Sequence, residues 1–277
     1  MSLREEIKAK IEVLQSHLKE LDETEGKLYD IESAGSLLRR VKAKPNTTSY
    51  MTGIFWLDAH FGGFKDGSFV NIAGESFGGK STLLIELLAN IAEFNKTVFF
   101  SFEMYENTTA KKLERLKEAQ LANLLIEQHR NELNDVVSLI RTYAQKGVKF
   151  FGIDSKMKVK VLGNIPTVEK TALISSVLAK LCQELGVIII LINQIGEDDL
   201  KNGRMALKGS GDQVYDSDVI WFLTVNKDKN MNVTKRTLYC TKDRLNEKLF
   251  KVDIPSFNIS NVQVVKYKED KIEMQRL

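Results

Sequence analysis

Residues 69 to 91 read FVNIAGESFGGKSTLLIELLANI, an apolar run that breaks into glycines and resumes as an apolar segment of helical period. No other stretch restricts the fold as tightly. A strand must end at the glycines and a helix must begin after them, so the chain is committed to a strand, a tight turn and a helix. Within this stretch Gly74, Gly79, Lys80 and Ser81 satisfy G-x-x-x-x-G-K-[ST] in the strand-to-helix setting that the spacing requires. The chemistry is that of an anion cradle. Backbone N–H groups of the loop and of the helix start converge on phosphate oxygens, and only small residues let the backbone come so close. Gly74, Glu75, Ser76, Phe77, Gly78, Gly79, Lys80, Ser81 and Thr82 are therefore expected to hold ATP, with Lys80 on its β and γ phosphates and Ser81 on Mg²⁺.

The same alternation continues along the chain. SFVNIA (68–73), TVFFSF (97–102), VKFFGI (148–153) and GVIIILIN (186–193) are short runs rich in Val, Ile and Phe, separated by helical patterns. Strands that are apolar almost throughout are buried on both faces, which gives an α/β layer architecture around a mostly parallel sheet. After residue 215, DVIWFLTV, KRTLYCTK and EKLFKVDI are separated by the turn-like NKDKNMN and DRLN, so antiparallel hairpins are expected to extend that sheet. At the other end, Leu3, Ile7, Ile11, Leu14, Leu18 and Leu21 recur at steps of four and three, predicting an N-terminal amphipathic helix. The segment VKAKPNTTSYMTG with Pro45 reads as a linker, dividing the chain into residues 1–45 and 46–277.

Composition narrows the function classes. The 277 residues carry 40 Lys+Arg against 37 Asp+Glu, a net +3, so any basic surface is local and the whole-chain charge does not mark a nucleic-acid binder. Cys182 and Cys240 lack paired spacing and His17, His60 and His129 are scattered, which supports neither a disulfide framework nor a transition-metal site. No apolar run approaches the roughly 18 residues of a membrane span, and a cytoplasmic setting is the default expectation.

A nucleotide site needs a second carboxylate for its metal at the end of another buried strand. VKFFGIDS ends in Asp154, which suits that role, although an Asp after a strand also serves as a helix cap. TVFFSFEMYENTT places Glu103 at the end of the strand that follows the phosphate-loop helix. In order and wording these segments resemble the RecA-like ATPases, and among them the C-terminal motor domain of DnaB-type replicative helicases. The resemblance runs from residue 50 to 255 through TGIFWLDAHFGGFKDGSF, FSFEM, GIDS, LINQIG, SGDQVYDSDVIWFL and CTKDRLNEK. It implies a RecA-like fold, Glu103 as the base that polarises the attacking water, and Gln194 as the sensor of the γ-phosphate. It further implies that Lys242 and Arg244 reach into a neighbouring subunit's nucleotide site, in a hexameric ring or a filament. The bland alternatives are a capping Glu103 and two ordinary turn cations.

The same resemblance assigns nucleic-acid contact to loops after the metal strand and the sensor strand. Those loops offer Lys156, Lys158 and Lys160, then Lys201, Arg204 and Lys208. An extended SKMKVK would put three ammonium groups on one side as a track for single-stranded DNA. The second loop, NGRMALKGSG, also resembles the mobile DNA loop of RecA recombinases. Three features depart from the helicase pattern: Gly152 stands inside the metal strand where a bulky residue is usual, DSKMK lacks the apolar wording after the aspartate, and 45 residues leave no room for a primase-contacting N-terminal domain. The expectation is an oligomeric, DNA-stimulated ATPase working with replication proteins. Its rivals are a strand-exchange filament and a regulatory or loading ring that assembles with nucleotide without translocating.

Overall fold

Apolar runs that cannot face water on either side need cover on both, and this chain supplies it with helices above and below one sheet. The computed structural model describes residues 33–43, 49–163, 165–195, 205, 207, 212–230 and 232–254. The helix expected over residues 3–21 lies outside them. The chain divides into two compact units, Met1–Thr47 and Thr48–Leu277. The first contributes α1 (Ala34–Lys42), whose start is capped by Ser33 Oγ accepting from the Ser36 N–H at 3.1 Å.

The second unit runs through α2 (Phe55–Phe61), β1 (Phe69–Gly74), α3 (Lys80–Ala92), β2 (Thr97–Ser101), α4 (Glu106–Leu113), α5 (Glu118–Asn123) and β3 (Leu124–Glu127). It continues with α6 (Leu133–Gln145), β4 (Phe150–Asp154), a 3₁₀ turn (Lys156–Lys158), α7 (Thr167–Leu185), β5 (Ile188–Gln194), α8 (Asp212–Asp216), β6 (Val219–Lys227), β7 (Val233–Asp243) and β8 (Phe250–Asp253). Among the described residues the strands form one eight-stranded sheet in the order β3-β2-β4-β5-β1-β6-β7-β8. Strands β1 to β6 pair in parallel, while β7 and β8 are antiparallel additions at one edge. The expected fold class is therefore found, with β3 and α5 as elements the apolar runs do not announce.

Alternate residues of each central strand serve opposite layers. Ile188, Ile190 and Ile192 of β5 join the layer of α3, with Leu83, Leu84, Leu87 and Leu88, whereas Ile189 and Leu191 join the layer of α6 and α7. Gly152 of β4 faces α3, where an added Cβ would meet Leu88 Cδ1 at 2.6 Å and Leu84 Cδ1 at 2.9 Å. The bulky residue expected in this strand is replaced by two leucines of the helix, which brings α3 close to β4. One row of polar groups crosses the otherwise apolar sheet. Asn193 Nδ2 of β5 donates to Asn71 Oδ1 of β1, and Asn71 Nδ2 donates to Ser217 Oγ at 2.6 Å, all three residues being fully buried.

Candidate active site

Parallel strands that end together leave a crevice at their carboxyl ends, and here the register decides what fills it. Gly74 of β1 lies opposite Gln194 of β5, and Ser101 of β2 lies opposite Asp154 of β4. A Cβ on Gly74 would stand 2.3 Å from the Leu223 carbonyl oxygen, so glycine is what lets β1 turn into the loop beside β6. Beyond it the loop is left-handed at Phe77 (φ 61°) and Gly79 (φ 106°), and the Phe77 ring is exposed at the tip. The β6–β7 ribbon steadies this loop. Arg236 Nε donates to the Gly78 carbonyl at 3.2 Å, and Lys227 Nζ pairs with the Glu75 carboxylate at 3.0 Å.

Lys80 opens α3 and folds back over the loop, its Nζ donating to the carbonyls of Gly74 (3.0 Å) and Glu75 (2.7 Å). Burial lowers its pKa, and the carboxylates of Glu103, Asp154 and Glu75 push it back up. One buried cation thus sits among three acidic groups from three segments. Asp154 is 1% exposed, and neither carboxylate oxygen has a hydrogen-bond partner. Burial pushes its pKa up to about 6; Ser81 approaches closely enough to favour the ionised form, nearby Glu103 opposes it, and Lys80 and Lys112 favour it. Two orphaned carboxylate oxygens in a buried position are costly unless a cation takes them. With the Ser81 hydroxyl beside them they form an all-oxygen donor set that fits Mg²⁺, the metal implied by the loop.

Glu103 is placed through its backbone. The N–H groups of Phe102 and Glu103 both donate to the Asp154 carbonyl, at 2.7 and 3.1 Å, so the end of β2 is tied to the end of β4 and the exposed Glu103 carboxylate leaves from there. Lys80, Ser81, Glu103, Asp154 and Gln194 are therefore carried to one crevice.

Lys242 and Arg244 are not. Strand β7 runs antiparallel to β6, with Asp243 opposite Val219 and Val219 opposite Val70, so these cations stand at the amino ends of the parallel strands. Four residue steps along β1 take Val70 to Gly74, about 13 Å at about 3.3 Å per step. Lys242 Nζ donates to the Val214 carbonyl, and the Arg244 N–H donates to the Asp218 carbonyl at 2.9 Å. Burial and the neighbouring Arg244 lower the Lys242 pKa, against the pull of Asp218 and Asp216.

The lysine track is corrected by the structure. After Asp154 the chain does not stay extended but closes into the 3₁₀ turn, which packs against β5 and α7. Lys156 is only 1% exposed, and burial lowers its pKa to about 7, so it does not present an ammonium to a phosphate backbone. Lys158 and Lys160 are exposed, but their backbone is pinned: Asn131 Nδ2 donates to the Lys158 carbonyl at 3.1 Å and the Lys160 N–H to the Asn131 carbonyl at 2.8 Å. Lys201, Arg204 and Lys208 lie outside the described residues.

Several residues around the site carry no signal in the sequence. Arg236 and Lys227 look there like solvated charges of a ribbon. Glu86 is different, because it is the one acidic residue of α3 and is visible as such. It is 7% exposed, and burial pushes its pKa up to about 7 against the pull of Arg115 and Lys112.

No family model matches the chain, and no curated protein does. Solved structures do. One of them, an ATPase domain, superposes with a TM-score of 0.66 at 21% identity, covering 81% of this chain and 95% of that one. A DnaB-like replicative helicase, described with its interactions with primase, gives 0.67 at 19% identity over 90% of this chain and 71% of that one. A KaiC-like protein from Pyrococcus horikoshii gives 0.59 at 19% identity over 75% and 94%. At such identities the likeness is one of fold: this chain has the RecA-like fold.

Proposed function

We propose that the chain binds Mg-ATP on residues 74–82 and hydrolyses it within a ring or filament of its own copies that acts on single-stranded DNA. The observation that carries this reading is the buried, unpartnered carboxylate of Asp154 beside Ser81 and Lys80, converging with Glu103 on one phosphate-binding loop. Ser81 and Asp154 would hold Mg²⁺, which supplies neutralisation of phosphate charge when bound. Loop N–H groups and Lys80 orient the β and γ phosphates. Glu103 accepts a proton from water as its oxygen attacks the γ-phosphorus; the bond to the bridging oxygen breaks and ADP and phosphate leave. Gln194, aligned with Gly74, reports whether the γ-phosphate is present.

Lys242 and Arg244 stand at the far end of the strands, which supports a role for them in a neighbour's site, where such cations can contribute about 10³ to 10⁵ in rate. The solved helicase described with primase supports looking for replication proteins as partners, and the absence of a long apolar helix among the described residues is compatible with a cytoplasmic setting. The burial of Lys156 favours a second reading, a nucleotide-gated ring or filament that binds a protein partner without translocating.

One experiment tests both: ATP turnover and assembly mass, with and without single-stranded DNA. Lys80→Ala abolishes nucleotide binding if the central reading holds, and normal turnover in that variant sinks it. Stimulation by single-stranded DNA that is lost in Lys158→Ala/Lys160→Ala selects the DNA motor; stimulation by a protein partner alone selects the second reading.

A further inference from the structure

Helix α3 is apolar nearly all round, with Leu83, Leu84, Ile85, Leu87 and Leu88 fully buried, yet it keeps Glu86 in the same environment. Glu86 Oε1 meets Arg115 Nη2 at 2.9 Å. One turn earlier, Thr82 Oγ1 accepts from Lys112 Nζ at 3.0 Å. Residues 82 and 86 are four apart on a helix and so share one face. Lys112 and Arg115 come from the end of α4 and the residues after it. The two contacts are rungs of one bridge, joining the first turns of the phosphate-loop helix to the segment that leaves β2.

That segment carries Glu103. Only Met104 and Tyr105 separate it from the start of α4 at Glu106. The anchor on its other side is the backbone bond from the Glu103 N–H to the Asp154 carbonyl. The carboxylate thus stands between a fixed point on β4 and an arm that returns to α3 through Lys112 and Arg115. Thr109 of the same arm is also held, by Ser101 Oγ at 3.1 Å and by Gln128 Nε2 at 3.2 Å, so removing the return path loosens the arm at its α3 side without touching the loop's phosphate-binding backbone.

We propose that Lys112 and Arg115, through Thr82 and Glu86, are positioning residues that hold the Glu103 carboxylate against the nucleotide loop. The proposal rests on the reading of Glu103 as the base. Misplacing a reacting group by about 1 Å can cost about 100-fold in rate while leaving the remaining contacts in place. Loss of either rung therefore lowers kcat and spares nucleotide affinity.

The test uses the full chain, steady-state ATP turnover and equilibrium binding of a fluorescent ADP analogue. Lys112→Met lowers kcat about 10- to 100-fold and leaves the Kd for ADP without Mg²⁺ within about twofold; because Lys112 also favours the ionised form of Asp154, the deciding variant is Arg115→Gln, which leaves that cation in place. Lys112→Arg, which keeps a donor in reach of Thr82, restores most of the rate. In a cycle, Arg115→Gln with Glu86→Gln is no slower than the slower single variant, because both remove the same contact. Arg115→Gln, which breaks the other rung at an exposed side chain, keeps the proposal testable if Lys112→Met fails to fold, and lowers kcat in the same way. Wild-type kcat in Arg115→Gln, additive losses in the cycle, or a Kd that rises in step with the kcat loss overturns it. Glu103→Gln separates the two ideas. If it turns over ATP at the wild-type rate, the base reading fails; if it is inactive while Arg115→Gln runs at full speed, only the positioning role fails.

Discussion

At the carboxyl ends of the strands Lys80 and Asp154 are 8% and 1% exposed, and the aspartate has no partner for either oxygen. At the amino ends Lys242 is half-buried on a backbone carbonyl and Arg244 is exposed. The first end keeps charge out of water with its interactions unfinished; the second keeps charge near the surface with its backbone groups satisfied. Unfinished polar groups cost stability, so their survival marks where a ligand completes them. Cations near the surface cost less while they wait than fully buried charge does, and are suited to being delivered elsewhere.

Substitutions can break that comparison. The largest effect is expected at the amino end: Arg244→Ala in the assembled protein lowers kcat about 10³-fold or more, while its thermal stability stays within about 0.5 kcal/mol, as for other surface changes. Mixing it with Glu103→Gln subunits restores part of the turnover, since each intact group then serves some composite sites; no recovery at any ratio argues that Arg244 does not act across subunits. Glu103→Gln alone costs about 10² to 10⁴ in kcat with nucleotide binding retained, measured by turnover and by fluorescent nucleotide titration.

Asp154 sharpens the comparison from the stability side. Its pKa is raised on folding from 3.8 to about 6, so its stabilising contribution is fully present below about pH 4 and is lost as pH rises through 6. At pH 8 the ligand-free protein carries an ionised, buried carboxylate. Asp154→Asn is therefore expected to stabilise the ligand-free protein by about 2–3 kcal/mol at pH 8, and by much less at pH 4, in denaturant melts. Equal stability of the two proteins at pH 8 would remove the argument that this carboxylate awaits a cation. The smallest effect concerns packing: Gly152→Ala is expected to cost about 1–3 kcal/mol, because the methyl group must displace Leu84 and Leu88. A neutral outcome would mean that α3 has slack against β4.

Much of this is legible in the sequence because both signals are local. Near-continuous Val, Ile and Phe runs can only be doubly covered strands, and the glycine spacing before Lys80 and Ser81 specifies its own turn. What is not legible depends on contacts distant in sequence. The edge strand β3 is four residues long, and only Leu124 in it is buried, so LLIE offers no pattern. An exposed Lys156 follows only if the chain stays extended, and the turn that buries it is set by packing against β5 and α7. The far-end placement of Lys242 and Arg244 follows from the antiparallel pairing of β7, which no spacing within CTKDR encodes.

The amide row across β5 and β1 has a consequence for how the sheet finds itself. Strands that are apolar on both faces lose little by sliding past one another, since an isoleucine meets another aliphatic residue in nearly any alignment. Asn71 and Asn193 do not have that freedom. Were β5 displaced by one step along β1, the bond from Asn193 to Asn71 would be lost among aliphatic side chains, at about 1–3 kcal/mol, while Asn71 would keep only Ser217. The pair works as a checksum for strand alignment, accepting the arrangement in which Gly74 comes level with Gln194 and rejecting its near neighbours.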